Sequence, residues 1–161
     1  MLDDDEAWDQ PLVRDSWPAG LRQEWSLLER ERERLLTLVE QSPRTTCHLD
    51  AWPGNVVVPP AGDVVLLDWA FAGNGAIGED VGNWVPDSCL ELFWPAERID
   101  ELDRVALQAY LDGLASAGWD GDPDEVRLAI RASCVRQRGL VFQYLVGCCV
   151  EALRLADRLG R

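Results

Sequence analysis

Residues 46–80 read TCHLDAWPGNVVVPPAGDVVLLDWAFAGNGAIGED, and the rest of the chain is organised around them. The stretch opens with His48, Leu49 and Asp50 and reaches Asn55 five residues after the aspartate. Two short apolar runs follow, Val56, Val57, Val58 and then Val64, Val65, Leu66, Leu67, with Pro59, Pro60, Ala61, Gly62 and Asp63 between them. Both runs are too short for helices and rich in β-branched residues, and the break between them is turn chemistry. The spacing predicts loop, strand, turn, strand, loop. Such a hairpin holds Asp50 and Asn55 at the start of one strand and Asp68 at the end of its partner, on the same edge.

Three oxygen-bearing side chains on one edge are what phosphoryl transfer requires. One carboxylate orients or accepts the proton of an attacking hydroxyl. A second carboxylate and an amide oxygen suit Mg²⁺, a hard cation with oxygen ligands that bridges nucleotide phosphates. The protein-kinase pattern H-x-D-x-x-x-x-N followed by a second aspartate is met here by His48, Asp50, Asn55 and Asp68, with Pro53 where kinases also carry a proline.

The continuation, Asp68-Trp69-Ala70-Phe71-Ala72-Gly73-Asn74-Gly75 and then Gly78-Glu79-Asp80, resembles aminoglycoside phosphotransferases and related small-molecule kinases. In that family the metal-binding aspartate is usually followed by Trp rather than by Phe-Gly. The resemblance implies that Asp50 is the catalytic base and that Asn55 and Asp68 are the Mg²⁺ ligands. It makes His48 and Asp80 the supporting residues, with Asp80 bracing the catalytic loop. It also implies Mg²⁺ with ATP or GTP as cofactors and a small-molecule hydroxyl as acceptor. Leu49 stands where the family often has Gly, Trp52 where it often has His, and Ala76 where an acidic residue is common. Taken singly, each aspartate is an ordinary turn or cap residue. The specificity lies in residue types, spacing and hairpin agreeing together. The match is dense over residues 47–86 and is a loose helical pattern elsewhere.

A chain of 161 residues with 47% hydrophobic content is long enough for a single domain with a proper core. No run reaches the roughly 18 apolar residues of a membrane span. The start, Met1-Leu2-Asp3-Asp4-Asp5-Glu6, is acidic where a signal peptide is basic. The five cysteines are odd in number and lack metal-ligand spacing, so reduced core thiols in a cytoplasmic protein are expected. With 29 acidic against 15 basic residues, the net charge of −14 disfavours a nucleic-acid partner. A cationic substrate suits that field, although acidic surfaces mostly serve solubility.

The chain has no lysine; its 15 basic residues are all arginine. Kinases and aminoglycoside phosphotransferases hold the nucleotide's α- and β-phosphates with a strand lysine of an N-terminal lobe. No G-x-G-x-x-G loop occurs either, and no strand-rich segment precedes His48. The expected fold is therefore mainly α with a small β-hairpin: the C-terminal, helical lobe of a protein-kinase-like fold, with the N-terminal lobe absent from these residues. An apolar patch left open near the hairpin, and self-association through it, are expected to follow.

Along the chain, residues 1–15 read as a loosely ordered lead-in, and Ser16-Trp17-Pro18 as a helix start. Apolar residues at Leu21, Trp25, Leu28, Leu35 and Val39 predict a helix to about Gln41, with alternating Glu and Arg over residues 29–34 as its solvated face. After Ser42 and Pro43 come the catalytic loop, hairpin and metal-binding segment at 46–80, then a helical subdomain at 81–161. Within it, helices are expected near 81–86, over 95–117, from Asp122 to about 138, and from 140 to about 159. Asp122-Pro123-Asp124-Glu125 is a capped start for the third of these. Residues 140–150, apolar on nearly all sides, are expected to be the central buried helix. Trp25, Trp84 and Trp94 read as core, whereas Trp52 and Trp69 lie where a substrate ring could stack. Two functions fit this reading: a small-molecule kinase lobe that needs a nucleotide-holding partner, or a non-catalytic binding module that keeps the lobe's shape.

Overall fold

The computed structural model describes residues 8–9, 11–60, 62–134 and 142–161, and is mostly helical. In chain order the elements are α1 (Pro11–Ser16), α2 (Leu21–Gln41), β1 (Arg44–Cys47), β2 (Val56–Val57), β3 (Val65–Leu66), β4 (Gly73–Ala76), α3 (Glu79–Leu90), α4 (Ile99–Ser116), α5 (Pro123–Ser133) and α6 (Phe142–Leu159). Single 3₁₀ turns at Pro53–Asn55, Trp69–Phe71 and Ala96–Arg98 join some of them.

Helix α2 forms where the stripe predicts, burying Leu21, Leu28, Leu35, Leu38 and Val39, with Trp25 packed partly against them. It begins three residues past Pro18, because Gly20 turns the chain through a left-handed φ of 95° first. It stops at Ser42, whose Oγ donates to the Leu38 carbonyl at 2.8 Å. Helices α2, α5 and α6 pack on one another around a core that includes Leu35, Val126, Leu128, Ile130, Ala152 and Leu155. Helix α3 lies between α4 and α5. The cap read at Asp122 is present: its Oδ1 accepts from the Asp124 amide at 2.9 Å. The helix expected to run to about 138 is described only to Ser133, and the interruption at Gly139 lies outside the described residues. Of the expected central apolar helix, Cys148, Ala152, Leu153, Leu155 and Ala156 are buried; the side chains of residues 142–147 lie outside what is described.

The expected hairpin is present but shorter than its apolar runs, with Val56 opposite Leu66 and Val57 opposite Val65. Sequence periodicity missed a second antiparallel pair, in which β1 meets β4 from Arg44 opposite Ala76 to Cys47 opposite Gly73. Gly-Asn-Gly-Ala has almost no strand propensity, so its extended form comes from the ladder bonds to β1 rather than from its own side chains. Gly75 is required there, since a Cβ at that position would lie 2.6 Å from Cys47 Sγ.

Two further corrections concern aromatic residues. Trp8, placed in the loose lead-in, is buried, with Trp17 edge-on at 5.4 Å. Trp84 and Trp94, read as core, are only half-buried; Arg98 covers the Trp94 ring at 4.8 Å. Inside α3, Pro86 has no amide to give to the Gly82 carbonyl four residues back; the single proton of the buried Cys134 thiol is shared between that oxygen at 3.8 Å and the Ile130 carbonyl at 3.6 Å.

One ion cluster ties the helical half together. Arg131 of α5, 8% exposed, donates to Asp103 of α4 at 2.5 and 2.6 Å and to Glu151 of α6 at 2.9 Å. Removing one partner of a buried pair leaves the other charge without compensation. Arg131→Ala is therefore expected to cost about 3–5 kcal/mol, read as a lowered urea midpoint. A shift worth less than about 1 kcal/mol, the value of an exposed pair, would show that the cluster is solvated.

Candidate functional site

The site is the segment between β1 and β4, whose two ends are pinned side by side by the ladder just described. Strand β1 delivers His48, and the turn after β4 delivers Asp80 in the first turn of α3. The two carboxylate oxygens of Asp80 accept the backbone amides of His48 and Leu49, each at 2.8 Å. A carboxylate taking two amides is a charge-assisted bridge, and here it joins positions more than thirty residues apart in sequence. Leu49 is held at a φ of +60°, a conformation most side chains avoid, which gives a physical reason for the glycine common at this position in related kinases.

His48 is buried beneath the loop and bonds the Leu67 carbonyl through Nε2 at 2.7 Å. A carbonyl only accepts, so Nε2 carries the proton; Nδ1 is buried with no hydrogen-bond partner among the described residues. This bond fastens the catalytic loop to the strand that leads into Asp68. The Trp69 ring lies 4.7 Å from the imidazole and donates its Nε1 to the Leu66 carbonyl at 3.0 Å.

Asn55 links the remaining groups. Its Nδ2 donates to both the Asp50 carbonyl and the Asp50 Oδ2, each at 2.9 Å, while the Asn55 carbonyl accepts from the Leu67 amide at 2.8 Å. Asp50 and Asn55 are thus in direct contact, and Asp68 follows the residue bonded to Asn55. Asp68 is exposed, at a φ of +54°, and makes no hydrogen bond among the described residues. The donor types fit a hard cation: with Nδ2 engaged, Asn55 keeps Oδ1 as an acceptor, and Asp68 offers a carboxylate one residue beyond the Leu67 that bonds the Asn55 backbone. Among the described residues no group of three or more His, Cys, Asp or Glu side chains could hold a metal. A magnesium ion here would complete its shell with phosphate and water oxygens.

Several contributors were not legible in the sequence. Tyr110 of α4 accepts the Gly78 amide at 2.9 Å, fixing the left-handed turn that aims Asp80. Burial pushes the Tyr110 hydroxyl's pKa up, against the lowering effect of that amide. Glu79, buried, accepts the Ala76 amide at 2.9 Å. Asp87 of α3 is half-buried, and burial, with Glu91 and Asp50 nearby, pushes its carboxyl above the ordinary range. Tyr110 and Asp87 are marked out by groups distant in sequence, Gly78 and Asp50, whereas the partner of Glu79 is the local Ala76 amide.

Two outcomes follow from this wiring. Asp80→Ala should orphan the His48 and Leu49 amides at about 1–3 kcal/mol apiece. Hydrogen exchange at those two amides should quicken while α2 keeps its protection; unchanged exchange would mean that the bridge holds nothing. The Cys47 thiol, pushed from 9.0 to about 11 chiefly by burial, keeps its proton in the fold. Its contribution to stability is whole below pH 9 and is lost as pH rises through about 11. Iodoacetamide at pH 8 should spare Cys47 until the chain is denatured, and ready labelling of the native protein would contradict the buried placement.

The described helices include none long and apolar enough to cross a membrane. No curated protein and no solved structure matches the chain. Residues 1–127 match the phosphotransferase enzyme family, a span that covers the catalytic-loop pattern, the hairpin and helix α3. The chain is a member of the phosphotransferase enzyme family, similar to the aminoglycoside phosphotransferases.

Proposed function

We propose that this chain carries the acceptor-side chemistry of a small-molecule kinase, in which a nucleotide γ-phosphoryl passes to a substrate hydroxyl. The observation that carries the reading is the contact of Asn55 with Asp50, made through Nδ2 so that Oδ1 stays available for a cation. In this reading Asp50 takes the hydrogen bond of the attacking hydroxyl and, as transfer proceeds, its proton. Asn55 and Asp68 hold the magnesium ion that arrives with ATP or GTP; when bound, it neutralises phosphate charge. His48 and Asp80 do no chemistry. They keep the loop and the hairpin end in one register, which matters because phosphoryl transfer is mostly positioning and electrostatics.

The helices with their hairpin read as the C-terminal lobe of a protein-kinase-like fold. Within these residues nothing clamps a nucleotide, since there is no lysine and no Gly-rich phosphate loop. Exposed apolar side chains along the hairpin and beyond it, Val57, Val58, Val64, Val65, Leu67, Trp69 and Phe71, suit a surface that a nucleotide-holding lobe covers. Their exposure equally suits self-association. The acceptor is a small hydroxyl compound, and the acidic field around it favours a cationic one. The missing clamp also favours a second reading, a binding module that keeps the lobe without turnover.

The test is transfer from labelled ATP with Mg²⁺ to a panel of aminoglycosides and other amino- or sugar-alcohols. The 161 residues alone should show no useful turnover, and addition of a strand-rich lobe carrying a Gly-rich loop and a lysine should restore it. In the restored enzyme Asp50→Asn should lower kcat by about 10²–10⁴-fold with little loss of stability. Robust turnover by the chain alone would overturn the need for a second lobe, and full activity in Asp50→Asn would remove Asp50 from its role.

A further inference from the structure

Beside Asp50 the surface is aromatic, and nothing described so far uses it. The Trp52 ring lies against the 3₁₀ turn Pro53–Asn55 so closely that a Cβ on Gly54 would sit 2.2 Å from it. Phe93 meets that ring edge-on, with centroids 6.1 Å apart, although it comes from the turn between α3 and α4. Phe93 is 57% exposed and its neighbour Leu92 89% exposed. This turn is not loose: the Leu92 amide donates to the Cys89 carbonyl at 3.1 Å and the Trp94 amide to the Ser88 carbonyl at 2.9 Å. Leu92 itself is held at a φ of +62°. A bonded turn that holds two large apolar side chains out in water, one of them against Trp52, keeps them there at a free-energy cost.

The position of this wall says what covers it. Trp52 is two residues from Asp50 and one from the turn that carries Asn55. The half-buried Asp87 of α3 is pushed above the ordinary carboxylate range by burial and by the nearby charges of Glu91 and Asp50. Asp50 bonds the Asn55 side chain, Asn55 ends the 3₁₀ turn on which the Trp52 ring lies, and Phe93 meets that ring, so a molecule held at Asp50 has this aromatic pair as its neighbour.

We infer that Trp52 and Phe93 are specificity-determining residues for the acceptor, selecting a hydroxyl compound that presents a flat apolar or aromatic face rather than one polar on every side. The inference rests on the phosphotransferase reading only for the identity of Asp50 as the acceptor's anchor. Aromatic stacking contributes up to about one tenfold step in affinity per ring, so truncating either ring should be measurable.

The experiment labels the full chain with 5-fluorotryptophan, assigns Trp52 from Trp52→Phe, and follows ¹⁹F and amide spectra during three separate titrations. The probes are 2-naphthaleneethanol, 2-deoxystreptamine and MgATP. Naphthaleneethanol is expected to move the Trp52 signal and the Asp50 and Asn55 amides together, with affinity reduced roughly tenfold in Phe93→Ala and in Trp52→Ala. Deoxystreptamine, polar all round, should leave Trp52 in place. Naphthaleneethanol without effect on Trp52, equal binding by both variants, or deoxystreptamine as the stronger ligand at Trp52 would each overturn the inference. Because MgATP is read at Asn55 and Trp69, its failure to bind bears on phosphotransfer alone. Should a variant unfold, Phe93→Leu keeps an apolar side chain while removing the ring, and must still lose naphthaleneethanol affinity.

Discussion

The Asp80 carboxylate, accepting two consecutive amides from the loop that begins at His48, is the interaction on which the site depends. An extended loop carrying a buried histidine and a residue at positive φ would not keep that shape through its own preferences. Two charge-assisted bonds offset the strain, and they do so from the first turn of a helix, where a carboxylate is also favoured by the helix dipole. Upstream of Asp80, Tyr110 holds Gly78 in its left-handed turn, and a Cβ there would lie 2.5 Å from Ile130. The geometry of the loop is thereby referred back to α4 and α5. Loop position and helical packing are one mechanical unit.

The helices give that unit a fixed frame. A core shared by α2, α5 and α6 sets where β1 leaves α2, and the buried Arg131 cluster holds α4, α5 and α6 against one another. Buried ion pairs of this kind add little net stability compared with apolar packing, yet they tolerate few alternative arrangements. In a lobe whose α4 has no fully buried residue, a directional tie of this kind does what apolar packing alone does not. Beyond this frame the surface is unusual in one direction. Exposed apolar side chains lie along the hairpin and at the Leu92–Phe93 turn, on a chain in which 29 acidic residues outnumber 15 basic ones.

Some of this was determined by the sequence alone. The pattern His48, Asp50, Asn55 and Asp68, residue types at fixed spacing, pointed to the phosphotransferase family that residues 1–127 match. The β2–β3 hairpin and helix α2 were legible because β-branched runs, a Pro-Pro turn and a 3.6-residue stripe are local signals. The absence of lysine is an inventory fact that no fold can alter. Only tertiary structure decided the rest. Strand β4 is extended because β1 supplies its hydrogen bonds from about thirty residues away, and Trp8 is buried because a folded surface exists to receive it. Tyr110 became a stay and Phe93 a neighbour of Trp52 through contacts that span the chain, and the two amides that Asp80 holds were identified only in the fold. Such contacts leave no periodicity in the sequence, because their free energy comes from groups brought together after the local elements have formed.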